Sequence, residues 1–349
     1  SGTLTSTTLT GLGMSGSLTY GTLETLNLTL GSGGDTFTIN STHANTTTLN
    51  TSAGADTVTV NSTSGTTTLN AGNDNDTLNL RSMSGTLTVN GDAGNDTIDI
   101  NFDVLATGTL RVNGNDGNDT IHARKVLDGA TTIYGDGGDD RTYLYPNSGF
   151  VAVYDSGGSL DELNFTNFTN RLRFTISATE VNVALGSAPL LVTHFGNTIE
   201  RLVGSSDNDT FTFTDGATLV NRTGRIDGYG GTADLINYAA YTTGITVTLE
   251  GAATGLANVT NIENVNGGSG DDVITGNANG NVLFGGNGND TLSGLGGDDW
   301  YLFSDGWGAD TVIELSGASD VISFYAYTGD TINSAATPVT GDLEVKLSD

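Results

Sequence analysis

The chain has 349 residues, of which 40 are acidic and 11 basic, and its formal net charge is −29. With so few cations on its surface, the chain is not expected to bind nucleic acid or an anionic membrane. The absence of cysteine excludes disulfides and thiolate metal sites. No apolar run reaches the roughly 20 residues of a membrane-inserted helix. The chain begins at Ser1 without a signal-like segment, so we expect a processed piece of a longer protein.

A repeat of about 21 residues organises the first part of the chain. One aspartate anchors each copy, and the anchors are Asp35, Asp56, Asp76, Asp96, Asp119 and Asp140. Apolar residues stand seven positions before each anchor and four positions after it, with polar residues between. Alternation of period two predicts short strands, and the longer period predicts that successive copies stack in parallel. The sequence therefore predicts an all-β fold, a parallel β-solenoid (β-roll or β-helix) with coils of about 20 residues.

The rest of the chain continues this pattern with different regularity. Residues 1–145 are interpreted as regular coils, and 146–266 as irregular coils with longer excursions, since Asp161, Asp209 and Asp234 keep the anchor pattern. A separate globular domain at 146–266 is the alternative. Residues 267–325 are interpreted as shorter coils, and 326–349 as further strands of a continuing solenoid.

From Gly267 the repeat shortens to nine residues, so that two units complete an 18-residue coil. The sixth position holds Asp272, Asn281, Asp290 and Asp299, and the glycines of the complete units are Gly267, Gly268, Gly270, Gly285, Gly286 and Gly288. Glycine lets the backbone adopt left-handed conformations and curl its carbonyl oxygens to one side. Stacked aspartates repel one another unless a cation neutralises them. An all-oxygen ligand set of this kind favours Ca²⁺ over Mg²⁺.

At these residues the chain resembles the RTX (repeats-in-toxin) family, whose nonapeptide is G-G-x-G-x-D-x-apolar-x. The match is complete at 267–275 and 285–293, whereas Asn281 replaces the aspartate in 276–284 and Leu295 replaces a glycine in 294–302. The resemblance implies a calcium-bound β-roll in which each ion lies between same-edge turns of adjacent coils. It pairs Asp272 with Asp290, and it places Asn281 opposite Asp299.

The longer coils carry a diluted form of the same turn. Gly94, Gly117 and Gly138 each stand two positions before an anchor aspartate. We expect calcium on one edge only, between the successive turns of Asp76, Asp96, Asp119 and Asp140. The alternative is that Asn and Asp serve only to build these turns.

No motif of a known catalytic centre occurs, and we predict that the chain is not an enzyme. One outward row, Asn79, Asp99, His122 and Tyr143, comes nearest to an acid–base site, with Arg124, Lys125 and Arg141 as its nearby cations. Such a row is similar to β-helical enzymes that act on acidic polysaccharides. Threonine rows at 36–38 and 57–59 resemble the faces of ice-binding proteins, although threonine is also an ordinary solvent-face residue of strands.

These observations predict an extracellular, cell-surface structural protein that is stabilised by calcium. We expect it to self-assemble into a filament, sheath or surface layer, or to be a segment of an adhesin. Its partners would be further copies, neighbouring repeat segments or surface glycans, because uncovered strand edges favour pairing. The first alternative is a non-catalytic secretion and folding module of a secreted polysaccharide-acting enzyme, and a further one is an ice-binding solenoid.

Overall fold

The chain folds into two compact units. The computed structural model describes residues 1–102, 107–126, 130–146, 148–196, 198–219, 223–304, 306, 308–315, 319–324, 335–336 and 344–348. The first unit consists of Ser1–Asn167 and Leu190–Ile199, and the second of Phe168–Pro189 and Glu200–Asp349. Within the described ranges, no helix is long and apolar enough to cross a membrane.

The first unit is built from short strands connected by turns. These strands are β1 (Gly2–Leu4), β2 (Thr8–Gly11), β3 (Ser17–Thr19), β4 (Thr25–Thr29), β5 (Thr36–Ile39), β6 (Thr46–Asn50), β7 (Thr57–Val60), β8 (Thr66–Asn70), β9 (Thr77–Leu80), β10 (Ser84–Ala93), β11 (Thr97–Asn101), β12 (Thr107–Asp116), β13 (Thr120–Lys125), β14 (Thr131–Gly137), β15 (Arg141–Leu144), β16 (Val151–Tyr154), β17 (Glu162–Asn164) and β20 (Leu190–Phe195).

Alternate strands of the first unit belong to two sheets. One has the order β17-β15-β13-β11-β9-β7-β5-β1-β2-β3, and the other β20-β16-β14-β12-β10-β8-β6-β4. Apart from the antiparallel pairs that join β1, β2 and β3, the pairs between these strands are parallel. Each strand thus pairs with its copy one coil along the chain, as the repeat predicts.

The second unit contains β18 (Leu172–Ile176), β19 (Glu180–Leu185), β21 (Arg201–Val203), β22 (Thr210–Phe213), β23 (Arg225–Asp227), β24 (Leu235–Asn237), β25 (Thr246–Thr248), β26 (Asn258–Thr260), β27 (Asn264–Asn266), β28 (Val273–Thr275), β29 (Val282–Phe284), β30 (Thr291–Ser293), β31 (Trp300–Phe303), β32 (Ala309–Ile313), β33 (Val321–Phe324), β34 (Ala335–Ala336) and β35 (Glu344–Ser348). Their orders are β26-β23-β21, β33-β31-β29-β27-β24-β22-β18-β19 and β25-β28-β30-β32-β35-β34.

Parallel pairing from β27 to β31 in the second unit follows the nonapeptide spacing. Ile274 lies beside Leu292, and Leu283 lies beside Tyr301, each pair 18 residues apart in the chain. β18 and β19 instead form an antiparallel hairpin, and β35 pairs antiparallel with β32. Most of 326–349 lies outside the described residues, and the segment boundaries at 145, 266 and 325 stay predictions.

The predicted apolar positions form the core of the coils. Seven positions before the anchors, the fully buried side chains are Leu49, Leu69, Val89, Val112 and Ile133. In the nonapeptides, the eighth-position side chains are also buried, with at most 1% of Tyr301 exposed. The two units are therefore all-β parallel β-solenoids, with coils of about 21 residues in the first unit and of 18 residues in the nonapeptides of the second, and the predicted fold class is confirmed.

Candidate metal centre

The anchor aspartates form a ladder of hydrogen bonds along one edge of the first unit. One carboxylate oxygen, Oδ1, accepts a hydrogen bond from the backbone N–H of the anchor one coil earlier. The N···O distances are 2.6 Å from Asp56 to Asp76, 2.7 Å from Asp76 to Asp96, 2.8 Å from Asp96 to Asp119 and 2.7 Å from Asp119 to Asp140. Only 1% to 4% of each of these aspartates is exposed. The structure therefore brings the predicted residues together as a buried row.

The nonapeptides of the second unit repeat this ladder on two edges. On one edge, the N–H of Asp272 donates to Asp290 Oδ1, and that of Asp290 to Asp310 Oδ1, both at 2.8 Å. On the other edge, the N–H of Asn281 donates to Asp299 Oδ1 at 2.7 Å. The two pairings predicted from the resemblance, Asp272 with Asp290 and Asn281 with Asp299, are thus adjacent in space.

The second carboxylate oxygen, Oδ2, is buried without a hydrogen-bond partner in most members of the ladder. Among the described residues, this holds for Asp56, Asp76, Asp96, Asp119, Asp140, Asp290 and Asp299. A buried carboxylate oxygen that lacks a partner is costly unless a proton or a cation satisfies it. The same unpartnered oxygen recurs in successive coils, so the row is suited to bind a series of cations.

Asn281 shows what happens when the carboxylate is replaced by an amide. Its Oδ1 accepts the N–H of Asn277 at 2.8 Å, and its Nδ2 donates to the carbonyl of Glu263 at 2.9 Å. Both polar atoms of the amide are therefore hydrogen-bonded to protein groups, whereas most of the aspartates keep one oxygen without a partner. The row has no carboxylate to offer a cation at Asn281.

Burial raises the pKa of the ladder carboxyls well above the usual range of aspartate. The pKa rises to about 7 for Asp76, Asp119, Asp140 and Asp290, and to about 6 for Asp96 and Asp299. Burial also raises the pKa of Asp272, whose Oδ2 accepts the N–H of Gly268 at 2.8 Å. Desolvation, the largest cause, penalises the ionised form, and nearby carboxylates add repulsion.

The first glycine of each unit makes room for the carboxylate. A Cβ built on Gly285 would lie 2.1 Å from Oδ2 of Asp290, and one on Gly267 would lie 2.3 Å from Oδ2 of Asp272. Neither glycine has a positive φ, so the expected left-handed backbone is not the reason for glycine at these positions. In the longer coils, Gly91 and Gly114 serve in the same way, whereas the earlier coils place Thr51 and Ala71 there.

The other predicted glycines let successive turns approach closely. Gly117 has a φ of 128°, and a Cβ there would lie 1.9 Å from the carbonyl oxygen of Gly94. The same close approach to the backbone of a neighbouring coil occurs at Gly94, Gly138, Gly268, Gly270, Gly286 and Gly288. All predicted site glycines therefore lie in the stacked turns beside the carboxylate row.

We expect Gly285→Ala to destabilise the calcium-loaded protein by about 1–3 kcal/mol, the usual cost of overpacking. The added methyl group would displace the Asp290 carboxylate, since its Cγ would also lie only 2.7 Å away. Urea unfolding in calcium measures the change. Gly33→Ala is the matched control, because nothing lies within 4 Å of the Cβ position there. Equal stabilities of the two variants would contradict this reading.

Three residues near the C-terminal end of the ladder were missed by the sequence prediction. Asp310 extends the edge of Asp272 and Asp290. Glu314 and Asp320 lie at the other edge, where one oxygen from each of Asp299, Glu314 and Asp320 lies within 4.8 Å of the others. The signal was present for Asp310, because Gly308 precedes it by the same two positions as in the longer coils. Glu314 lies outside any repeat pattern, so only the folded chain reveals it.

The outward row that came nearest to an acid–base site is also assembled as predicted. Asn79, Asp99, His122 and Tyr143 lie beside one another on four successive strands. Asp99 accepts hydrogen bonds from Arg81 at 2.8 Å and from Arg124 at 2.5 Å. Although burial acts in the opposite direction, these two arginines lower the pKa of Asp99. A carboxylate held in two ion pairs is a weak general base, so this geometry does not favour catalysis.

These features define a class of protein: a β-solenoid with rows of buried carboxylates suited to cations. The family model for the RTX calcium-binding nonapeptide repeat matches the chain in four copies, at residues 88–99, 111–125 and 266–301. The chain therefore contains RTX nonapeptide repeats that form a β-roll and bind Ca²⁺. No curated protein shows significant similarity to it. Such repeats are typical of secreted proteins, and the repeat domain is typically non-catalytic.

The matched segments include two of the longer coils. Residues 88–99 contain Gly91 and Asp96, and residues 111–125 contain Gly114 and Asp119. Both segments carry the glycine that makes room for the carboxylate, which the coils with Thr51 and Ala71 lack. The interpretation of the longer coils as a diluted form of the nonapeptide device is thereby supported.

Proposed function

We propose that the chain is an extracellular structural protein whose coils fold and stiffen when calcium fills the carboxylate row. The observation that supports this is the repeated buried Oδ2 atom without a partner, from Asp56 to Asp140 in one unit and at Asp290 and Asp299 in the other. The ligands in this proposal are the ladder carboxylates together with carbonyl oxygens of the glycine turns. Calcium supplies positive charge to these oxygens.

Calcium would act as a switch between two compartments. Where calcium is scarce, the chain carries a formal charge of −29 that opposes compaction. Where calcium is abundant, the ion binds the folded form and stabilises it in proportion to the number and affinity of sites. Such a chain stays export-competent before secretion and folds outside the cell.

We propose further that the folded protein associates with copies of itself or with neighbouring repeat segments. β4 pairs with β6 on one side, and the described residues place no strand on its other side. Leu26 and Leu28 of β4 are only partly buried, whereas Leu49 in the next coil is fully buried. An open strand edge with apolar residues is a template for another strand. Filaments, a sheath, a surface layer or an adhesin would all use such an edge.

Sedimentation and electron microscopy test this assembly. In millimolar calcium we expect concentration-dependent association into rods or lattices, and Leu26→Lys is expected to weaken it at least tenfold by placing a charge on the edge. Thr48→Lys, on the solvent side of the adjacent strand β6, is the matched control and should leave association unchanged. A monomer at high concentration in calcium would refute self-assembly.

A further inference from the structure

A third carboxylate joins the ladder at one point of the first unit, outside the segments that match the nonapeptide family. We propose that Asp140, Asp155 and Asp161 form a separate calcium site that binds more tightly than the ladder sites with only two carboxylates. One oxygen from each of the three residues lies within 4.8 Å of the others. This inference rests on the proposed calcium-binding function, and it adds a ligand, Asp155, that the repeat pattern does not contain.

Asp155 stands where the three preceding coils have glycine. The register aligns one residue in each of four successive strands, namely Asn90, Asn113, Tyr134 and Tyr154. The residues that follow them are Gly91, Gly114, Gly135 and Asp155. Gly91, Gly114 and Gly135 leave room for the anchor aspartate, because its Oδ2 occupies the space that a side chain at this position would fill. The fourth coil instead supplies a carboxylate at the edge of the row.

Two glycines allow the three carboxylates to converge. A Cβ on Gly135 would lie 2.6 Å from Oδ2 of Asp140 and 3.1 Å from Oδ1 of Asp155. A Cβ on Gly158 would lie 2.6 Å and 2.7 Å from the two oxygens of Asp161. Side chains at either position would therefore fill the space in which the carboxylates meet.

Asp140 provides an independent sign that a ligand belongs here. Only 4% of it is exposed, and its Oδ2 has no hydrogen-bond partner. Its other polar atoms are used in the ladder: Oδ1 accepts the N–H of Asp119, and its own N–H donates to Asp161 Oδ1, both at 2.7 Å. Oδ2 is thus the atom that remains for a cation.

Asp155 is held in place by its surroundings. Its Oδ1 accepts the N–H of Ser156 at 2.7 Å, and its carbonyl oxygen accepts the hydroxyl of Thr198 at 3.0 Å. A fixed carboxylate loses little freedom on binding, and this lowers the cost of forming the site.

The size and charge of the cluster fit calcium. Oxygens that bind Ca²⁺ lie about 2.3–2.6 Å from the ion, so two oxygens on opposite sides are about 4.6–5.2 Å apart. One oxygen from each of Asp140, Asp155 and Asp161 lies within 4.8 Å of the others, so one ion can contact all three. Calcium affinity increases with the number of charged ligands, and three carboxylates exceed what a pair of anchor aspartates supplies. The cluster of Asp299, Glu314 and Asp320 offers the same number, so we expect these two sites to fill first as calcium is added.

Calcium binding to the full chain, measured by equilibrium dialysis with metal analysis, tests the proposal. The wild type should bind two ions, one at each three-carboxylate cluster, at least about tenfold more tightly than the others. Asp155→Asn, which keeps the shape, should lose one of these two tight ions and retain the rest. Asp155→Gly restores the residue of the three preceding coils and should give the same result. Asp116→Asn removes an exposed acid of a matched turn and serves as the control that keeps both tight ions.

The outcomes separate this inference from the proposed function. If both Asp155 variants bind as many ions as the wild type with the same affinities, the three-carboxylate site is refuted, although calcium binding by the row stands. If the wild type binds no calcium, the proposed function itself fails. Circular dichroism in saturating calcium confirms that the variants fold, and Asp155→Gly decides the question if Asp155→Asn does not fold.

Discussion

Removal of calcium at neutral pH is expected to abolish most of the β-structure of the chain. Among the residues that the structure describes, seven ladder aspartates have an Oδ2 atom that is buried without a hydrogen-bond partner, and calcium is the ligand that would satisfy these atoms. Without the ion, burying an ionised carboxylate costs more than the coil contacts can offset, and the large negative charge adds repulsion. Far-ultraviolet circular dichroism during titration with a chelator measures the effect, and re-addition of calcium should restore the spectrum.

Magnesium provides the matched control for this experiment. It requires near-ideal octahedral geometry and gives up its water reluctantly, so it fits turn carbonyls and carboxylates poorly. At the same concentration, magnesium should restore much less β-structure than calcium. An unchanged spectrum after exhaustive chelation would contradict calcium-dependent folding.

Acid is expected to replace calcium in part. The pKa of Asp76, Asp119, Asp140 and Asp290 is raised to about 7 in the folded chain, from about 4 for an unfolded aspartate. The folded state therefore binds more protons than the unfolded state between these values. This contribution to stability is fully present below about pH 4, and it is lost as the pH rises through about 7. The calcium-free protein should thus become more stable as the pH falls across this window.

Thermal unfolding of the calcium-free protein in a pH series measures this effect. In saturating calcium the dependence should weaken or reverse, since protons compete with the ion for the same carboxylates. Calcium binding near neutral pH should also release protons, which titration calorimetry in buffers of different ionisation enthalpy detects. A calcium-free midpoint temperature that rises with pH from about 4 to about 7 would show that the carboxylates are not buried as described.

Much of the coil register could be predicted from the spacing of the anchors. Counting three residues past each anchor placed Asn79, Asp99, His122 and Tyr143 side by side, and the strands pair in this register. The counting succeeds because each strand pairs with its own copy, so equal positions in successive repeats become neighbours. It also identified the buried residues, since the period of two separates the two faces of a strand.

The irregular parts could not be predicted in this way. The hairpin of β18 and β19 has no copy elsewhere in the chain, so periodicity gives no information about its antiparallel pairing. Asp155 takes the place of the repeat glycine. It stands six positions before Asp161, whereas Gly135 stands five positions before Asp140. This insertion hides its alignment with the preceding glycines, which becomes evident only from the register of β14 and β16.

The role of the first glycine of each nonapeptide could not be predicted from the sequence either. A pattern of glycine and aspartate suggested a need for left-handed backbone, and Gly286 and Gly288 do have positive φ angles. Gly267 and Gly285 do not, and their missing side chains instead accommodate a carboxylate oxygen from their own unit. This distinction depends on the direction of a side chain, which spacing alone does not determine.

X-ray diffraction from crystals grown in calcium, with anomalous scattering used to find the ions, tests the central claim most directly. We expect anomalous peaks beside Oδ2 of Asp119, Asp140 and Asp290. We expect no ion that is bound by the side chain of Asn281. A map with the ladder carboxylates ordered as described and no peak beside any of them would contradict the assignment of the row as a series of calcium sites.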